Sequence, residues 1–184
     1  TTDRLDRRRM EARTFGIMPF STGDGSVAKL VADNHVVMLR ADGRLLVWGD
    51  NTYGQLGLGA GAAQKVHTPT QNIFFKDKKI KDIAVVQDAT FVLLNSGELS
   101  AFGKGTNGRL GLGSNTNVST PTLIPGSQGL RISGLYPMKE SMVVATDNNA
   151  IYVWGRNDKG QLGDGTKTDK NTPTRIMEVA NVKS

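Results

Sequence analysis

The sequence predicts an all-β protein that is assembled from a repeated unit of about four short strands. Three observations lead to this prediction: an excess of glycine, a glycine-rich segment that occurs three times, and short apolar runs without a helical period. Of the 184 residues, 22 are glycine, which is above the usual frequency of about 7%. The glycines do not recur at every third position, so a collagen-like chain is excluded, and their spacing instead indicates a structural repeat.

The glycine-rich segment begins with an aromatic residue and occurs at residues 48–59, 102–113 and 154–165. In each copy one glycine follows the aromatic residue directly, and three more follow at steps of 5, 3 and 2. Glycine adopts positive φ and permits close backbone approach, so these segments predict tight turns after a strand. The residues that we expect to have this structural role are Trp48, Gly49, Gly54, Gly57, Gly59, Phe102, Gly103, Gly108, Gly111, Gly113, Trp154, Gly155, Gly160, Gly163 and Gly165.

Two short apolar runs, separated by a turn, lead into each glycine-rich segment. In the first copy they are residues 36–39 and 45–48. The consecutive apolar residues predict a hairpin that is buried on both faces. Its turn residues tolerate the positive φ of a two-residue hairpin; they are Asp42-Gly43, Ser96-Gly97 and Asn148-Asn149.

Two further features recur in each copy. The sequence Thr-Pro-Thr occurs at residues 68–70, 120–122 and 172–174. Because proline has no N–H to donate, we expect these segments at the start of a strand or at a sheet edge. A leucine inside each glycine-rich segment is expected to anchor the turn in the core; these residues are Leu56, Leu110 and Leu162.

A four-stranded unit that repeats every 52 to 54 residues is typical of a β-propeller blade. The motif Trp-Gly-x4-Gly-Gln-Leu-Gly-x-Gly, with His35 thirteen residues before Trp48, resembles the regulator of chromosome condensation repeat family over residues 14–184. The resemblance implies a β-propeller, which in that family is a closed seven-bladed ring. The fold class that we expect is therefore an all-β partial ring, with three blades plus one extra strand.

The repeat arithmetic also predicts how the chain is divided. Residues 1–13 form a charged N-terminal arm, the three units occupy approximately residues 14–67, 68–119 and 120–171, and residues 172–184 repeat the first strand of a fourth unit. Three open blades would leave unpaired strand edges. We therefore expect this chain to be part of a longer propeller or to be completed by another chain.

Composition and motifs argue against an enzyme and against a cofactor. The chain has no cysteine and two histidines, which excludes thiolate chemistry and predicts no metal site. No serine, histidine and aspartate set recurs in the repeats. The pattern Gly103-x-Gly105-x-x-Gly108 matches a dinucleotide fingerprint, but Gly103 and Gly108 belong to the repeat and the residues that follow cannot open a helix. We expect neither a small-molecule substrate nor a membrane span, and we expect an intracellular protein whose compartment the sequence leaves open.

Candidate partner-binding residues lie in the loop before the central strands of each unit, at residues 32–35, 86–89 and 138–141. In exchange factors of the family that the sequence resembles, acidic residues and histidine in these loops contact a small GTPase. The resemblance thus implies a protein-binding role for Asn34, His35, Asp88 and Glu140. The structural alternative for His35 is that its side chain ties strand ends together by hydrogen bonds.

Two basic segments suggest a further partner. The formal net charge is +6, and positive residues cluster in the N-terminal arm and in the segment that follows the first Thr-Pro-Thr. The candidate nucleic-acid contacts are Arg7, Arg8, Arg9, Lys78 and Lys79. Because acidic residues are interleaved with them, an ordinary charged surface is the alternative.

Three functions follow from these patterns, in order of preference. The first is a non-catalytic scaffold for protein–protein interaction, within a longer chain or a large assembly, because a strong repeat framework carries no repeated reactive group. The second is guanine-nucleotide exchange on a small GTPase. The third is contact with chromatin or nucleic acid through the basic segments.

Overall fold

The computed structural model describes residues 25–176, which form three antiparallel sheets of four strands each. We call each sheet a blade. The first blade contains β1 (Val27–Ala32), β2 (His35–Arg40), β3 (Leu45–Asp50) and β4 (Lys65–Gln71). The second contains β5 (Ile80–Val86), β6 (Ala89–Leu94), β7 (Leu99–Gly103) and β8 (Val118–Leu123). The third contains β9 (Ile132–Pro137), β10 (Ser141–Thr146), β11 (Ile151–Gly155) and β12 (Lys170–Arg175).

The blades stack face to face, and this stacking buries the consecutive apolar residues of the central strands. One apolar cluster lies between the first and second blades and includes Val47, Val92 and Phe102. A second cluster lies between the second and third blades and includes Phe91 and Trp154. Every residue of β6 is buried, because the second blade has a neighbour on both faces. The prediction of an all-β chain is confirmed. The central hairpin is buried on both faces in the second blade, whereas β10 and β11 of the third blade contain partly exposed residues.

The blades converge at their first strands. Lys29 of β1 forms an ion pair with Asp82 of β5, with 2.5 Å between Nζ and Oδ1. Lys81 of β5 donates to the carbonyl of Ile132 at the start of β9, over 3.3 Å. The strands β1, β5 and β9 therefore lie at the inner edge of the array and β4, β8 and β12 at the outer edge. The described residues form a partial ring that is not closed, and they include no helix with the length and apolar character of a membrane span.

The outer strands contain the Thr-Pro-Thr segments, so the expected edge position of these prolines is confirmed. The blades are out of phase with the repeat units by one strand. Residues 172–175, which we expected to start a fourth unit, lie in β12 and complete the third blade. The corresponding strand that we expected near residue 14, the arm expected at residues 1–13 and residues 177–184 lie outside the described residues.

The hairpins inside the blades differ from the two-residue turns that we expected. Arg40 and Arg44 close the first hairpin through the hydrogen bond from Arg40 N–H to the Arg44 carbonyl, which leaves three residues in the loop. Only its last residue, Gly43, has a positive φ, at 92°. Gly97 and Asn149 take the same position in the other blades, with φ of 97° and 68°. A three-residue loop of this kind needs one left-handed residue, whereas a two-residue type I′ turn needs two.

All twelve glycines of the repeated segment have positive φ, between 66° and 119°. The leucines between them are buried, with exposures of 0% at Leu56, 1% at Leu110 and 2% at Leu162. The glycine-rich segments are therefore turns that are anchored in the core, as the sequence predicts.

Candidate partner-binding face

The three candidate loops lie at one end of the array, opposite the hairpin turns. At each loop the residue after a motif glycine donates its N–H to the carbonyl of the residue that precedes β2, β6 or β10. The distances are 3.0 Å from Asp50 to Asn34, 2.8 Å from Lys104 to Asp88 and 3.1 Å from Arg156 to Glu140. We call this end, with the turns at residues 33–34, 87–88 and 138–140 and the first residues of the loops after β3, β7 and β11, the loop face.

Glycine is required where the motif turns meet these loops. A Cβ on Gly103 would lie 2.4 Å from the Asp88 carbonyl oxygen, and a Cβ on Gly155 would lie 2.6 Å from that of Glu140. Both distances are shorter than non-bonded contact permits. One backbone hydrogen bond and one close glycine thus recur at the loop face of all three blades. The turns themselves differ, since only Asp88 among the residues that precede β2, β6 and β10 has a positive φ, and the side chains differ as well.

His35 is fully buried and joins the first blade to the second. Its Nε2 lies 2.8 Å from the Thr90 hydroxyl oxygen of β6. Thr90 in turn donates a hydrogen bond from its hydroxyl to the Gln55 carbonyl over 2.7 Å, so the Thr90 oxygen accepts a hydrogen bond from His35 Nε2–H. This geometry agrees with the alternative that His35 connects strand ends by hydrogen bonds. The imidazole has 0% exposure, and a partner that approaches the loop face would meet exposed Asn34 instead.

The remaining nitrogen of His35 faces acidic side chains. Nδ1 has no hydrogen-bond partner among the described residues and lies 3.9 Å from Asp33 Oδ2. Burial lowers the pKa of His35 to about 4, against the opposing effect of the Asp33 and Asp50 carboxylates. The imidazole is therefore neutral at pH 7, with its proton on Nε2.

Asp88 is buried in the β5–β6 turn and has a positive φ of 60°. It accepts a long hydrogen bond of 3.4 Å from the Gln55 amide of the preceding blade, and Lys104 Nζ lies 4.0 Å away. Burial and the nearby Asp33 carboxylate raise the pKa of Asp88 above its ordinary value. The side chain is thus held inside the blade junction and is not displayed to solvent.

Glu140 lies between two arginines at the junction of the second and third blades. Its carboxylate accepts from Arg109 over 3.1 Å and from Arg156 over 2.6 Å. Arg109 is 1% exposed and also donates to the carbonyls of Thr106 and Gln87, over 2.9 and 2.7 Å. One guanidinium therefore connects a turn of the second blade to the loop of the third.

Arg109 and Thr90 are the residues of this face that the sequence analysis missed. Arg109 occupies the place that Gln55 and Gln161 have in the other copies of the motif, and this departure was the available signal. Thr90 carries no comparable signal, because its role depends on the position of the neighbouring blade. The side chains that the loop face displays instead include Asp33, Asn34, Lys139, Asp158 and, partly, Gln87 and Arg156.

The candidate nucleic-acid contacts are not part of the loop face. Lys78 and Lys79 are exposed in the link between β4 and β5, and β4 ends beside Leu46, near the hairpin turn. These lysines are therefore at the opposite end from the loop face. Arg7, Arg8 and Arg9 lie outside the described residues.

The glycines of the dinucleotide-like pattern pack against other parts of the protein. A Cβ on Gly105 would lie 2.1 Å from the Thr116 carbonyl oxygen, and one on Gly108 would lie 2.6 Å from the Asn171 backbone. Backbone atoms of other segments occupy the space that a side chain would need at these positions, which agrees with a structural role for these glycines.

Comparison with known proteins identifies the repeat. The chain matches the regulator of chromosome condensation (RCC1) repeat at residues 42–93, 96–134 and 148–184. It is 30% identical over 151 residues to the E3 ubiquitin-protein ligase HERC2 of Homo sapiens, covering 82% of this chain and 3% of HERC2. It is 28% identical over 152 residues to the ultraviolet-B receptor UVR8 of Arabidopsis thaliana, covering 83% of this chain and 34% of the receptor.

Solved structures show the same fold. The yeast RCC1 protein Prp20, in its complex with Kap60, superposes with a TM-score of 0.74 at 22% identity, over 84% of this chain and 38% of Prp20. Human WBSCR16 superposes with a TM-score of 0.71 at 24% identity, over 83% and 40% of the two chains. The chain thus spans well under half the length of each of these relatives.

Proposed function

Because the chain belongs to the regulator of chromosome condensation repeat family, we propose that it is a non-catalytic scaffold whose loop face binds a protein partner. One observation carries the proposal: the same glycine and the same backbone hydrogen bond hold the loop face in three blades, while its side chains differ in each. A rigid framework that displays variable side chains is suited to recognition. A catalytic group would need a reactive side chain with a base or acid beside it, and the residues at the three equivalent positions are His35, Ala89 and Ser141.

The choice of a protein partner is supported by the relatives. Yeast Prp20 is described in a complex with Kap60 and as binding Gsp1p and histones. The ligase activity in the name of HERC2 gives no support for an enzyme here, since the match covers 3% of that protein. An intracellular location goes with this proposal.

Exchange on a small GTPase is a weaker proposal for the same face. It assigns partner contacts to Asp88 and Glu140, but both carboxylates already have cationic neighbours within the blades. A GTPase would have to compete with Lys104, Arg109 and Arg156 for them. Chromatin contact through Lys78 and Lys79 would use the opposite end of the array.

The test compares two charge-matched variants of the full chain in quantitative affinity purification with mass spectrometry. The loop-face variant carries Lys139→Glu with Gln87→Glu, and the control carries Lys78→Glu with Gln128→Glu at the hairpin end. All four side chains are fully or partly exposed, so both variants should keep the wild-type melting temperature. We expect the loop-face variant to lose the stoichiometric partner at least about tenfold, and the control to keep it.

Equal retention by both variants would contradict the scaffold proposal. Loss confined to the control would instead favour the basic segment as the binding surface. If the captured partner is a small GTPase, acceleration of its GDP release by the chain would replace the scaffold with the exchange factor.

A further inference from the structure

A groove opens at the hairpin end between the second and third blades. One wall is the loop between β6 and β7, at residues 95–98, and the other is the link from β8 to β9, with Gln128, Gly129 and Arg131. Lys81 of β5 completes the lining and joins the two blades, because its Nζ donates to the Ile132 carbonyl over 3.3 Å. The volume of the groove is about 440 Å³, which lies within the roughly 300–1,000 Å³ that is usual for binding pockets.

Glycines leave the backbone of both walls open. Gly97 and Gly129 have positive φ, at 97° and 79°, and within residues 25–176 neither has an atom within 4 Å of its Cβ position. A ligand in the groove can therefore reach main-chain groups on either side.

Three cationic side chains flank this groove, which we call the basic groove. Lys81 and Arg131 line it. Lys79 lies beside the β6–β7 loop, because its carbonyl accepts the Asn95 N–H over 2.8 Å. The Arg131 side chain is 80% exposed, and its Nε is 3.8 Å from Asp147 Oδ2, which is too far for a hydrogen bond. Lys79 and Lys81 are exposed, and neither forms an ion pair with a carboxylate within residues 25–176.

Arg131 is held in a strained backbone conformation. Its φ is 58°, which is uncommon for a residue other than glycine, asparagine, aspartate or histidine. The Asp147 N–H donates to the Arg131 carbonyl over 3.0 Å and helps to hold this conformation. Lys79 has the corresponding place before β5 and is not among the residues with positive φ. Strained residues cluster where a side chain is positioned for function, so the strain singles out Arg131 among the cations of the basic groove.

The other residues of the lining favour an acidic peptide over a nucleic acid. Glu98 and Asp147 also line the basic groove. A continuous phosphate backbone would meet these two like charges, whereas a peptide can place neutral residues opposite them. The amides of Asn95 and Gln128 are suited to hydrogen bonds with peptide groups. Within residues 25–176, no aromatic residue lines the groove, so bases would have no ring on which to stack.

We propose that the basic groove binds an extended acidic segment of another protein, with carboxylates of that segment paired to Lys81 and Arg131. The planar guanidinium of Arg131 can hold a carboxylate through two parallel hydrogen bonds. The groove lies at the opposite end of the array from the loop face. It is therefore a second docking surface and does not depend on the partner that the loop face binds.

The first experiment measures the fluorescence anisotropy of a labelled peptide of alternating glutamate and serine as the full 184-residue chain is added. We expect saturable binding that weakens with added salt, and no binding of the same peptide with glutamine in place of glutamate. A labelled single-stranded RNA of the same length is the competing probe. Failure of the acidic peptide to bind, or tighter binding of the RNA, would overturn the proposal.

Two charge-matched double variants locate the site. Lys81→Gln with Arg131→Gln should weaken binding of the acidic peptide by at least about tenfold. The control, Lys139→Gln with Lys159→Gln, removes the same charge from exposed lysines outside the groove and should bind like the wild type. Equal weakening in both variants would mean that the net charge of the chain attracts the peptide, which would overturn the proposal.

A variant with the opposite expected effect decides the question if the loss of Lys81 and Arg131 disturbs folding. Asp147→Asn removes a carboxylate from the groove lining and should tighten binding of the acidic peptide by roughly two- to fivefold, which misfolding would not do. Asp158→Asn is the matched control, because the two aspartate side chains are similarly exposed, at 56% and 45%, and it should leave the affinity unchanged. Equal affinities of the two variants would show that the peptide does not lie in the basic groove.

Discussion

Buried polar side chains connect the blades at the loop face. His35 reaches Thr90, Gln55 reaches Asp88, and Arg109 reaches Glu140. Each of these contacts crosses from one blade to the next, so each constrains how the blades are oriented. His35 differs from the others, because its Nδ1 is buried without a hydrogen-bond partner among the described residues.

We expect the stability of the protein to fall as the pH drops from about 6.5 to about 4. The folded state holds the pKa of His35 at about 4, against an ordinary value of 6.5. Between these values the unfolded chain binds a proton that the folded chain does not, so acid favours unfolding. The loss is at most roughly 3 kcal/mol, and urea unfolding at a series of pH values measures it.

His35→Gln is the control for this titration. Its amide can donate to Thr90 and does not titrate, so the difference in unfolding free energy between wild type and variant should shrink or change sign toward pH 4. Ionisable groups far from His35 contribute equally in both proteins and cancel in the comparison. A pH-independent difference would show that His35 does not carry the effect.

The motif turns are the elements that set the geometry of each blade. Gly103 ends β7 with a φ of 119°, and its missing Cβ leaves room for the Asp88 carbonyl. Gly97, in the hairpin at the other end of the same strand, has a φ of 97° and nothing within 4 Å. The two positions thus share backbone strain but differ in packing.

We therefore expect Gly103→Ala to destabilise the protein more than Gly97→Ala. Left-handed strain alone costs roughly 1–2 kcal/mol at Gly97. At Gly103 the collision with a backbone carbonyl adds overpacking, which brings the total to roughly 3–5 kcal/mol. Denaturant unfolding of both variants gives the difference, and equal losses would mean that the β5–β6 turn moves aside at little cost.

In the molecule as a whole, stability depends on the contacts between blades, since each blade alone leaves two apolar faces uncovered. The second blade is covered on both faces, and Arg109 crosses its junction with the third. Removing a buried charged partner is costly, because the groups that it satisfied remain buried.

We expect Arg109→Met to lower the free energy of unfolding by about 3 kcal/mol. The variant leaves the Gln87 carbonyl unpaired and Glu140 with Arg156 as its cation. Arg156→Met is the matched control on the same carboxylate, and its loss should be much smaller because this guanidinium is partly exposed to solvent. Thermal or urea unfolding distinguishes them, and equal losses would mean that burial of Arg109 adds nothing.

Much of the fold follows from local patterns. The spacing of the glycines, the hairpin turns and the proline segments depend on the conformations that single residues adopt, and the structure has them where the sequence indicates. The exact hairpin loop did not follow, because Asp42-Gly43 is compatible with a two-residue or a three-residue turn. The division into blades did not follow either, since the strand that completes each blade comes from the next repeat.

The candidate site shows most clearly what the local sequence determines and what depends on the tertiary structure. The sequence by itself determined that the chain is a β-repeat protein with three equivalent loops, because φ preferences and apolar spacing are properties of short segments. Only the tertiary structure decided that His35, Asp88 and Glu140 are held within blade junctions while Asn34 and Lys139 face solvent. The physical reason is that burial and pairing of a polar group depend on the neighbouring blade, whose residues lie more than thirty positions away in the chain for each of the three contacts.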